Sequence, residues 1–395
     1  MNCLEKYDNF YLYDENVIVA NLNRLKANFP QIDFLYSIKC NSNFNVLRSI
    51  FSRGIGADAA SVGEVKLAQE AGVPANEIYY SAPGKSIEDI KNTIGQATLI
   101  ADSLDEIRRI QSVAEQSKKV EKIGNRINPN FTFSGVGGQA SKFGIDEEQA
   151  ISFLETCPYK NIKVTGIHVH LKSQELNAST LAAYYKKMFS LADRFEGVCG
   201  TLEYINMGSG MGVQYAPADL PLDLAALGSA VQQDLAIYRI AHPHTKIMIE
   251  VGRYAVCESG FYVTTVLDRK ISHGKTYLIL KNTLNGFMRP SLSQLVARYS
   301  SEESPMGAEP LFTAKDAFRF LTLKNDTPSE TVTLVGNLCT NTDMIAEDVR
   351  FPHLECGDTV VITNAGSYAA VLSPMQFSAQ EKPKELFLKQ SGEVI

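Results

Sequence analysis

The 395-residue sequence lacks three features that would place it in familiar classes of protein. It has no run of about 18 apolar residues, which a membrane-spanning helix needs, and no basic block for binding nucleic acid. Its first residues, MNCLEKYDNF, contain no apolar signal core. Its seven cysteines are odd in number and none are in a CxxC spacing. We therefore expect a cytoplasmic chain with free thiols, no metal site, and no membrane or nucleic-acid partner.

The bulk composition is that of a globular enzyme. Hydrophobic residues make up 45% and charged residues 21%, with a formal net charge of -6. A chain of this length is expected to form two domains, or one large barrel plus a smaller unit.

A strand-then-helix rhythm runs from about residue 24 to 255. The strand candidates are IDFLYSIK, GIGADAA, IYYSAP, ATLIAD, KIGNRINP, VTGIHVHL, LEYINMGSG and KIMIEVGRY. Eight strands alternating with helices predict an α/β fold built on a (β/α)8 barrel. An open doubly wound sheet is the alternative, but the chain lacks a strong dinucleotide-binding fingerprint.

The remaining residues, 1–23 and 256–395, are predicted to form a β domain. The run GFYVTTVLDRKISHGKTYLILK alternates apolar and polar residues around His273-Gly274, which indicates a hairpin. TVTLVGNLC, DTVVITNAG and ELFLKQ are further strand candidates, and 298–312 is predicted to be a surface loop.

Chemically useful side chains gather where the barrel strands end, which is where barrels place function. In chain order they are Lys39, Asp58, Ser61, Arg126, His168, His170, Ser173, Gly208-Ser209-Gly210, Glu250, Gly252 and Arg253. Taken singly, each has a structural explanation: a lone lysine is usually solvated, and GSGMG can be a tight turn. Their convergence on one rim favours function.

One cofactor needs this set of groups. A lysine amine forms an imine with an aldehyde, and a glycine-rich loop with nearby serine and arginine binds phosphate. A histidine ring can stack on a flat heteroaromatic, and Glu250 can keep a ring nitrogen protonated. Pyridoxal 5'-phosphate has an aldehyde, a phosphate, a flat ring and a pyridine nitrogen. We therefore predict that Lys39 holds this cofactor.

These residues stand in motifs that resemble a known family. YSIKCNSN is similar to the lysine motif of the fold-type III pyridoxal-phosphate decarboxylases, the diaminopimelate, ornithine and arginine decarboxylase group, which share an alanine racemase-like fold. GADAASVGEVKLAQEAGV, RINP, SKFGI, GIHVHLKSQ, INMGSGMGVQY, EVGRY, GNLCTNTDMIAEDV and GDTVVITNAGSYA follow in the family's order.

The resemblance implies roles for individual residues. Lys39 matches the cofactor-binding lysine, His170 the stacked histidine and Glu250 the partner of the ring nitrogen. Phosphate contacts are implied for Ser173, Gly208, Gly210, Arg253 and Tyr368, and supporting cofactor contacts for Asp58, Arg126, Ser209 and Gly252. Cys339 matches a cysteine that acts from the partner subunit and protonates the carbanion, so the resemblance also implies a homodimer with shared active sites. Asp343 matches an acidic residue near the substrate.

Glu250 also bears on reaction type. A carboxylate at the ring nitrogen makes the cofactor a strong electron sink, which decarboxylation needs. The related alanine racemases have an arginine there. The resemblance therefore implies a carboxy-lyase.

Two positions bear on the substrate. The residue after the catalytic cysteine is glutamate in diaminopimelate decarboxylases and aspartate in ornithine enzymes, where it binds the far ammonium group. Here it is Thr340, which cannot form that ion pair. Arg289, in GFMRPSLSQ, resembles the arginine that holds the far carboxylate of diaminopimelate.

The combination is similar to a branch that serves specialised metabolism. We expect decarboxylation of an amino acid conjugated to a carboxylate-rich group, for example citrate in siderophore biosynthesis, or of a carrier-protein-bound amino acid. Diaminopimelate decarboxylation for lysine synthesis is the alternative. Two others are a non-catalytic binding regulator and a metal-dependent barrel enzyme, although His168 and His170 lack an obvious carboxylate set for a metal.

Overall fold

The structure is a computed structural model that describes residues 3–299, 311, 313, 316–324 and 326–395. The chain divides into two compact units. We call Ala20–Gly212 with Pro221–Ala255 the barrel unit, and Met1–Val19, Val213–Leu220 and Val256–Ile395 the β unit. The sequence-based limits of 24–255 and 256–395 did not assign the short segment Val213–Leu220 to the β unit.

The strands are numbered in chain order. They are β1 Phe10–Asp14, β2 Asp33–Ser37, β3 Gly56–Ala59, β4 Ile78–Tyr80, β5 Thr98–Ala101, β6 Glu121–Asn128, β7 Ile145–Asp146, β8 Ile162–His168, β9 Tyr204–Asn206, β10 Lys246–Val251, β11 Gly260–Ser272, β12 Lys275–Leu280, β13 Phe320–Thr322, β14 Ser329–Gly336, β15 Met344–Pro352, β16 Thr359–Ile362 and β17 Lys384–Leu388.

The helices are also numbered in chain order. They are α1 Cys3–Lys6, α2 Glu15–Asn28, α3 Phe44–Phe51, α4 Val62–Glu70, α5 Ile87–Thr93, α6 Leu104–Ser117, α7 Glu147–Thr156, α8 Ala178–Cys199, α9 Leu224–Ala241, α10 Arg253–Val256 and α11 Met288–Tyr299. Of the helices in the described part of the chain, none is long and apolar enough to cross a membrane.

Eight parallel strands close into the predicted (β/α)8 barrel. Their order is β5-β4-β3-β2-β10-β9-β8-β6, and pairing of β5 with β6 closes the ring. Apolar side chains from five strands fill its interior, namely Leu35, Tyr79, Ile100, Tyr204 and Met248. The predicted fold class is confirmed, and the ring places the carboxyl ends of all eight strands at one rim.

Serine caps set the starts of helices that follow barrel strands. Ser61, Ser86 and Ser103 are N-caps whose hydroxyls accept backbone N–H groups of the first turns of α4, α5 and α6. Such caps satisfy N–H groups that a helix leaves unpaired and fix where it begins. The caps therefore fix where α4 and α6 begin, with two residues between each helix and the strand before it, and where α5 begins after a longer loop.

Several predicted strands end earlier than the sequence suggested. β2 ends at Ser37, so Lys39 lies in the 3-10 turn Ile38–Cys40 that follows the strand. β8 ends at His168, which leaves His170 in the loop beyond it. These short strands let functional side chains extend from loops above the barrel rim.

The β unit is a sheet in which β11 is the long central strand. β11 pairs with β1, β12 and β16, and β12 continues through β14 to β15. The predicted hairpin turn is present: His273 and Gly274 both have positive φ, the geometry of a type I′ turn. Of the predicted loop 298–312, the structure describes the end of α11 and Leu311; the rest lies outside the described residues.

Candidate active site

Lys39 forms an ion pair with a buried carboxylate of the neighbouring strand. Its Nζ lies 2.8 Å from Oδ2 of Asp58 on β3. The Lys39 side chain is 43% exposed, whereas that of Asp58 is fully buried. The Lys39 amine is therefore positioned by a buried anion, while part of its side chain is exposed to solvent.

Asp58 is itself held by two serines. The Ser37 hydroxyl donates to Oδ2 at 2.8 Å, and the Ser81 hydroxyl donates to Oδ1 at 2.6 Å. Three donors thus satisfy this carboxylate, which offsets the cost of burying it.

Glu250, on β10, is another buried carboxylate of the barrel unit. Its Oε1 accepts from Asn206 Nδ2 and lies 3.0 Å from His168 Nε2. Burial opposes ionisation, but the charge and hydrogen bond of His168 and the charge of Lys39 outweigh it, so the pKa of Glu250 lies well below its usual range. Among the described residues no hydrogen bond reaches Oε2; His170 Nδ1, at 3.7 Å, is too distant. One oxygen of an ionised carboxylate therefore stays available.

His170 is held as a neutral ring. Its Nδ1 accepts the backbone N–H of Ser209 at 3.1 Å, which places the ring proton on Nε2. Burial lowers the pKa of His170 to about 4; Glu250 counteracts this, while Lys39 and Arg126 add to it. The structure therefore brings His170 within electrostatic range of the other three predicted groups, Lys39, Arg126 and Glu250.

A glycine loop lies between these two groups. Gly208 has φ +66, and a Cβ there would collide with the Val169 carbonyl and His170. Its N–H donates to the Asn206 side chain, and its carbonyl accepts from the Glu250 N–H. Only glycine fits this close approach of the loop to His170.

The other predicted cofactor residues of the barrel unit lie around the same rim. Arg126 on β6 packs over the Phe143 ring at 4.3 Å and lies 3.7 Å from Asp102. Gly252 follows β10, Arg253 opens α10 and is buried, and Ser173 is half-buried in the loop after β8.

An ion pair that the sequence did not predict lies behind Arg126. Lys85 and Glu106 are both fully buried and 2.7 Å apart. Lys85 Nζ also donates to the carbonyls of Ala82 and Ile100. Burial lowers the pKa of Lys85, which Glu106 partly restores. Lys85 thus joins the loop after β4 to β5 through Ile100 and to the first turn of α6 through Glu106.

In the β unit, the predicted substrate residues lie on one turn and one helix. Cys339 is exposed and Thr340 is half-buried in the turn between β14 and β15. The Thr340 hydroxyl lies 2.9 Å from that of Thr342. Asp343, at the end of the turn, is buried, and its carboxylate accepts from Leu338 and from other residues of the β unit.

Arg289 lies on α11 and is fully buried. Its guanidinium donates to the Tyr215 hydroxyl at 3.1 Å and lies 5.3 Å from the Tyr215 ring and 5.6 Å from that of Phe318. This places a permanent positive charge in an aromatic frame within the β unit. Tyr368 lies in the loop after β16 with a positive φ.

One group of possible metal ligands lies away from the rim, on the outer helices. Asp193 and Glu196 on α8 face His242 after α9. The two nitrogens of His242 face different carboxylates: Nδ1 lies 2.5 Å from Glu196 and Nε2 lies 3.2 Å from Asp193. This is the geometry of a hydrogen-bonded clamp between two helices, since one ion cannot occupy both sides of the ring.

The chain belongs to the pyridoxal-dependent decarboxylases. The profile of the family's pyridoxal-binding domain, described as "Pyridoxal-dependent decarboxylase, pyridoxal binding domain", matches residues 15–257. This confirms the resemblance found in the sequence.

Relatives that match nearly the full length of this chain are also decarboxylases by name. The chain is 32% identical to the L-glutamyl-[BtrI acyl-carrier protein] decarboxylase of Niallia circulans, across 97% of this chain and 89% of that protein. It is 28% identical to the diaminopimelate decarboxylase of Thermoplasma acidophilum, across 97% and 88%. The solved diaminopimelate decarboxylase of Helicobacter pylori, complexed with L-lysine, superposes with a TM-score of 0.83 at 26% identity, covering 98% and 93% of the chains. The chain is a pyridoxal phosphate-dependent carboxy-lyase.

The barrel residues fit this cofactor. Lys39 would bind the aldehyde carbon of the cofactor, and the glycine loop at Gly208 would receive the phosphate. His170 would lie against the cofactor ring, and Oε2 of Glu250 would face the ring nitrogen. When bound, the cofactor supplies an electron sink for the electron pair left as carbon dioxide departs. Glu250 would place a negative charge beside the ring nitrogen, and neutral His170 would present a flat surface without adding a proton there.

Sequence reasoning missed residues that hold these groups. Ser37, Ser81 and Asn206 orient Asp58 and Glu250. Ser37 and Asn206 stood within the quoted motifs YSIKCNSN and INMGSGMGVQY, yet neither was given a role. Their signal is weak because serine and asparagine are common at strand ends, and their partners come from strands far apart in the sequence.

Proposed function

We propose that this chain decarboxylates an amino acid whose far end is joined to another, carboxylate-bearing group, such as citrate in siderophore biosynthesis. The observation that carries the proposal is the turn between β14 and β15. Its residue 340 is a threonine hydrogen-bonded to Thr342, and its one acidic residue, Asp343, has a buried carboxylate engaged by Thr283, Leu284 and Leu338. The turn therefore offers no open carboxylate to a far-end ammonium group.

The fixed charge of Arg289 supports an anionic far end. Its guanidinium is oriented by Tyr215 and Phe318, so little side-chain entropy remains to be lost when it binds a carboxylate. The relative from Niallia circulans supports the conjugated substrate class, since its name states a glutamyl group carried on an acyl-carrier protein.

Diaminopimelate decarboxylation is the second candidate. It is supported by the relatives of that name and by Arg289, since diaminopimelate also ends in a carboxylate. Thr340 is the observation against it. Removing the charge partner of a buried ammonium costs roughly 2–5 kcal/mol in binding.

We further propose that the chain works as a homodimer in the cytoplasm. In this proposal Cys339 acts at the site of the partner subunit and delivers a proton to the carbon that has lost carbon dioxide. Its exposed thiol and its position on a well-defined turn support that role.

The test is mass spectrometry of reactions with added pyridoxal phosphate. The substrates are meso-diaminopimelate, lysine, ornithine, arginine, a citrate conjugate of a small amino acid, and a glutamyl carrier protein. We expect loss of carbon dioxide from a conjugated substrate alone. Turnover of diaminopimelate in preference to both conjugates would contradict the proposal, and turnover of the carrier protein alone would rule out the citrate conjugate.

The substitution Thr340→Glu probes the turn directly. It should shift preference toward diamino acids, because it supplies the missing charge partner. Thr342→Glu, two residues along the same turn, is the matched control. An unchanged preference in Thr340→Glu would show that position 340 does not meet the far end of the substrate.

A further inference from the structure

Asp343 is held in a way that its resemblance to a substrate-side acid does not explain. Its residue is 3% exposed, and three donors of the β unit occupy its two oxygens. Oδ1 accepts from the Thr283 hydroxyl and from the Leu284 N–H at 2.9 Å, and Oδ2 accepts from the Leu338 N–H at 3.0 Å. A carboxylate saturated from within is poorly placed to bind a ligand.

The three donors come from two segments that are distant in the sequence. Leu338 directly precedes Cys339 and Thr340 on the turn after β14. Thr283 and Leu284 open the loop that leads into α11, which carries Arg289, and the Phe287 N–H returns to the Thr283 carbonyl. One carboxylate therefore joins the turn that carries two proposed substrate residues to the loop that sets the start of the helix carrying the third.

The backbone around Asp343 is built to accept this side chain. Its N–H donates to the Thr340 carbonyl at 3.3 Å, and its carbonyl accepts from the Gly336 N–H at 2.8 Å. A Cβ at Gly336 would collide with both carboxylate oxygens and with the Thr283 hydroxyl. The missing side chain at 336 thus makes the space that the carboxylate fills.

We infer that Asp343 is a positioning residue that fixes the Cys339–Thr340 turn relative to the Arg289 helix, and that it does not bind substrate. The inference rests on the proposed function for the roles of Cys339, Thr340 and Arg289. The hydrogen-bond geometry is independent of which substrate is turned over.

The substitution Asp343→Asn tests this because it keeps the shape and changes the hydrogen bonding. With three donors facing two oxygens, either orientation of the amide directs its NH2 group at a backbone N–H. Thr283→Val removes one donor and leaves Asp343 intact, and Thr283→Ser retains the hydroxyl as the conservative rescue. If Asp343→Asn does not fold, the Thr283 pair still decides the outcome.

The first readout is the rate at which iodoacetamide alkylates Cys339, followed by peptide mass mapping of the holoenzyme. Cys356, an exposed cysteine of the same unit, is the control within each sample. We expect alkylation of Cys339 to rise about fivefold in Thr283→Val, the equilibrium factor of one net hydrogen bond, and further in Asp343→Asn. Cys356 should be unchanged, and Thr283→Ser should match the parent.

The second readout separates positioning from ligand binding. A displaced turn should lower kcat through Cys339 and raise KM through Thr340 and Arg289 in both Asp343→Asn and Thr283→Val. Asp343 is instead a substrate ligand if Asp343→Asn raises KM alone while Cys339 alkylation is unchanged and Thr283→Val is silent. Because alkylation needs no substrate, failure of the substrate proposal leaves this result readable.

Discussion

The two units hold their buried carboxylates for different purposes. In the barrel unit, Asp58 faces the amine of Lys39 and Glu250 faces the imidazole of His168, so each carboxylate meets an ionisable group. In the β unit, Asp343 accepts only a hydroxyl and two backbone N–H groups. A carboxylate opposite a titrating group can follow changes of charge during a reaction. One satisfied by neutral donors fixes the shape of the chain instead.

The largest expected effect is on the chemistry of the barrel unit. Glu250→Gln removes the negative charge that would face the ring nitrogen of the bound cofactor, and we expect kcat to fall by about 10²–10³-fold, as when one preorganised electrostatic contact is lost. Steady-state kinetics of the holoenzyme measure it. Glu203→Gln, at the amino end of the barrel, is the control, and equal kcat values in the two variants would remove Glu250 from the chemistry.

The β unit should respond in stability. Gly336→Ala introduces a methyl group into the space of the Asp343 carboxylate, and overpacking of this kind costs about 1–3 kcal/mol. Urea unfolding of the purified protein measures the loss. Gly197→Ala, on α8, is the control, since nothing would meet its Cβ and its φ, like that of Gly336, is not positive. A Gly336→Ala protein as stable as the parent would contradict the packing around Asp343.

An effect of similar size is expected at Ser81, a neutral donor that supports the carboxylate facing Lys39. Ser81→Ala leaves Asp58 Oδ1 without its 2.6 Å hydrogen bond, at a cost of about 1–3 kcal/mol. Urea unfolding, with Ser112→Ala on the exposed face of α6 as the control, measures it. If Asp58 only fixed the shape of the chain, as we infer for Asp343, Ser81→Ala would lower stability and leave cofactor binding unchanged. We expect weaker binding as well, because Asp58 holds Lys39.

The smallest expected effect is a pH dependence. The folded chain keeps His170 unprotonated because burial lowers its pKa from 6.5 to about 4. An unfolded chain binds that proton below its ordinary pKa, so the unfolded state holds more protons in this window and stability falls as the pH drops. Between pH 6.5 and 5, where Glu250 stays ionised, the parent should lose about 1 kcal/mol more than His170→Asn, allowing for partial exposure of the ring. An equal loss of stability in the parent and in His170→Asn over this pH range would contradict the lowered pKa of His170.

The sequence predicted most of the barrel and less of the β unit. Strand and helix patterns are local signals, and they located the eight barrel strands. In the β unit, β13 and β15 were not predicted. In the β unit, alternation identified the hairpin, but the partner of each strand depends on contacts between distant residues.

The site divides in the same way. Lys39, His170 and Glu250 stand in motifs with distinctive residue types, so their chemistry is visible in the sequence. For Asp343, a motif gives the identity of an acid but not the direction of its oxygens. That direction was set by Thr283 and Leu284, some sixty positions earlier.

The turn between β14 and β15 separates two tasks that one residue might otherwise share. Asp343 fixes the turn from beneath, while Thr340 lies on it and bonds only within the turn, through its hydroxyl and its own backbone. Position 340 can therefore be exchanged without rebuilding the loop. In evolutionary terms, the proposed role of Thr340 implies that the substrate range of this scaffold diverges by single replacements at a site whose support is held constant. That gives a short route between enzymes of primary and specialised metabolism.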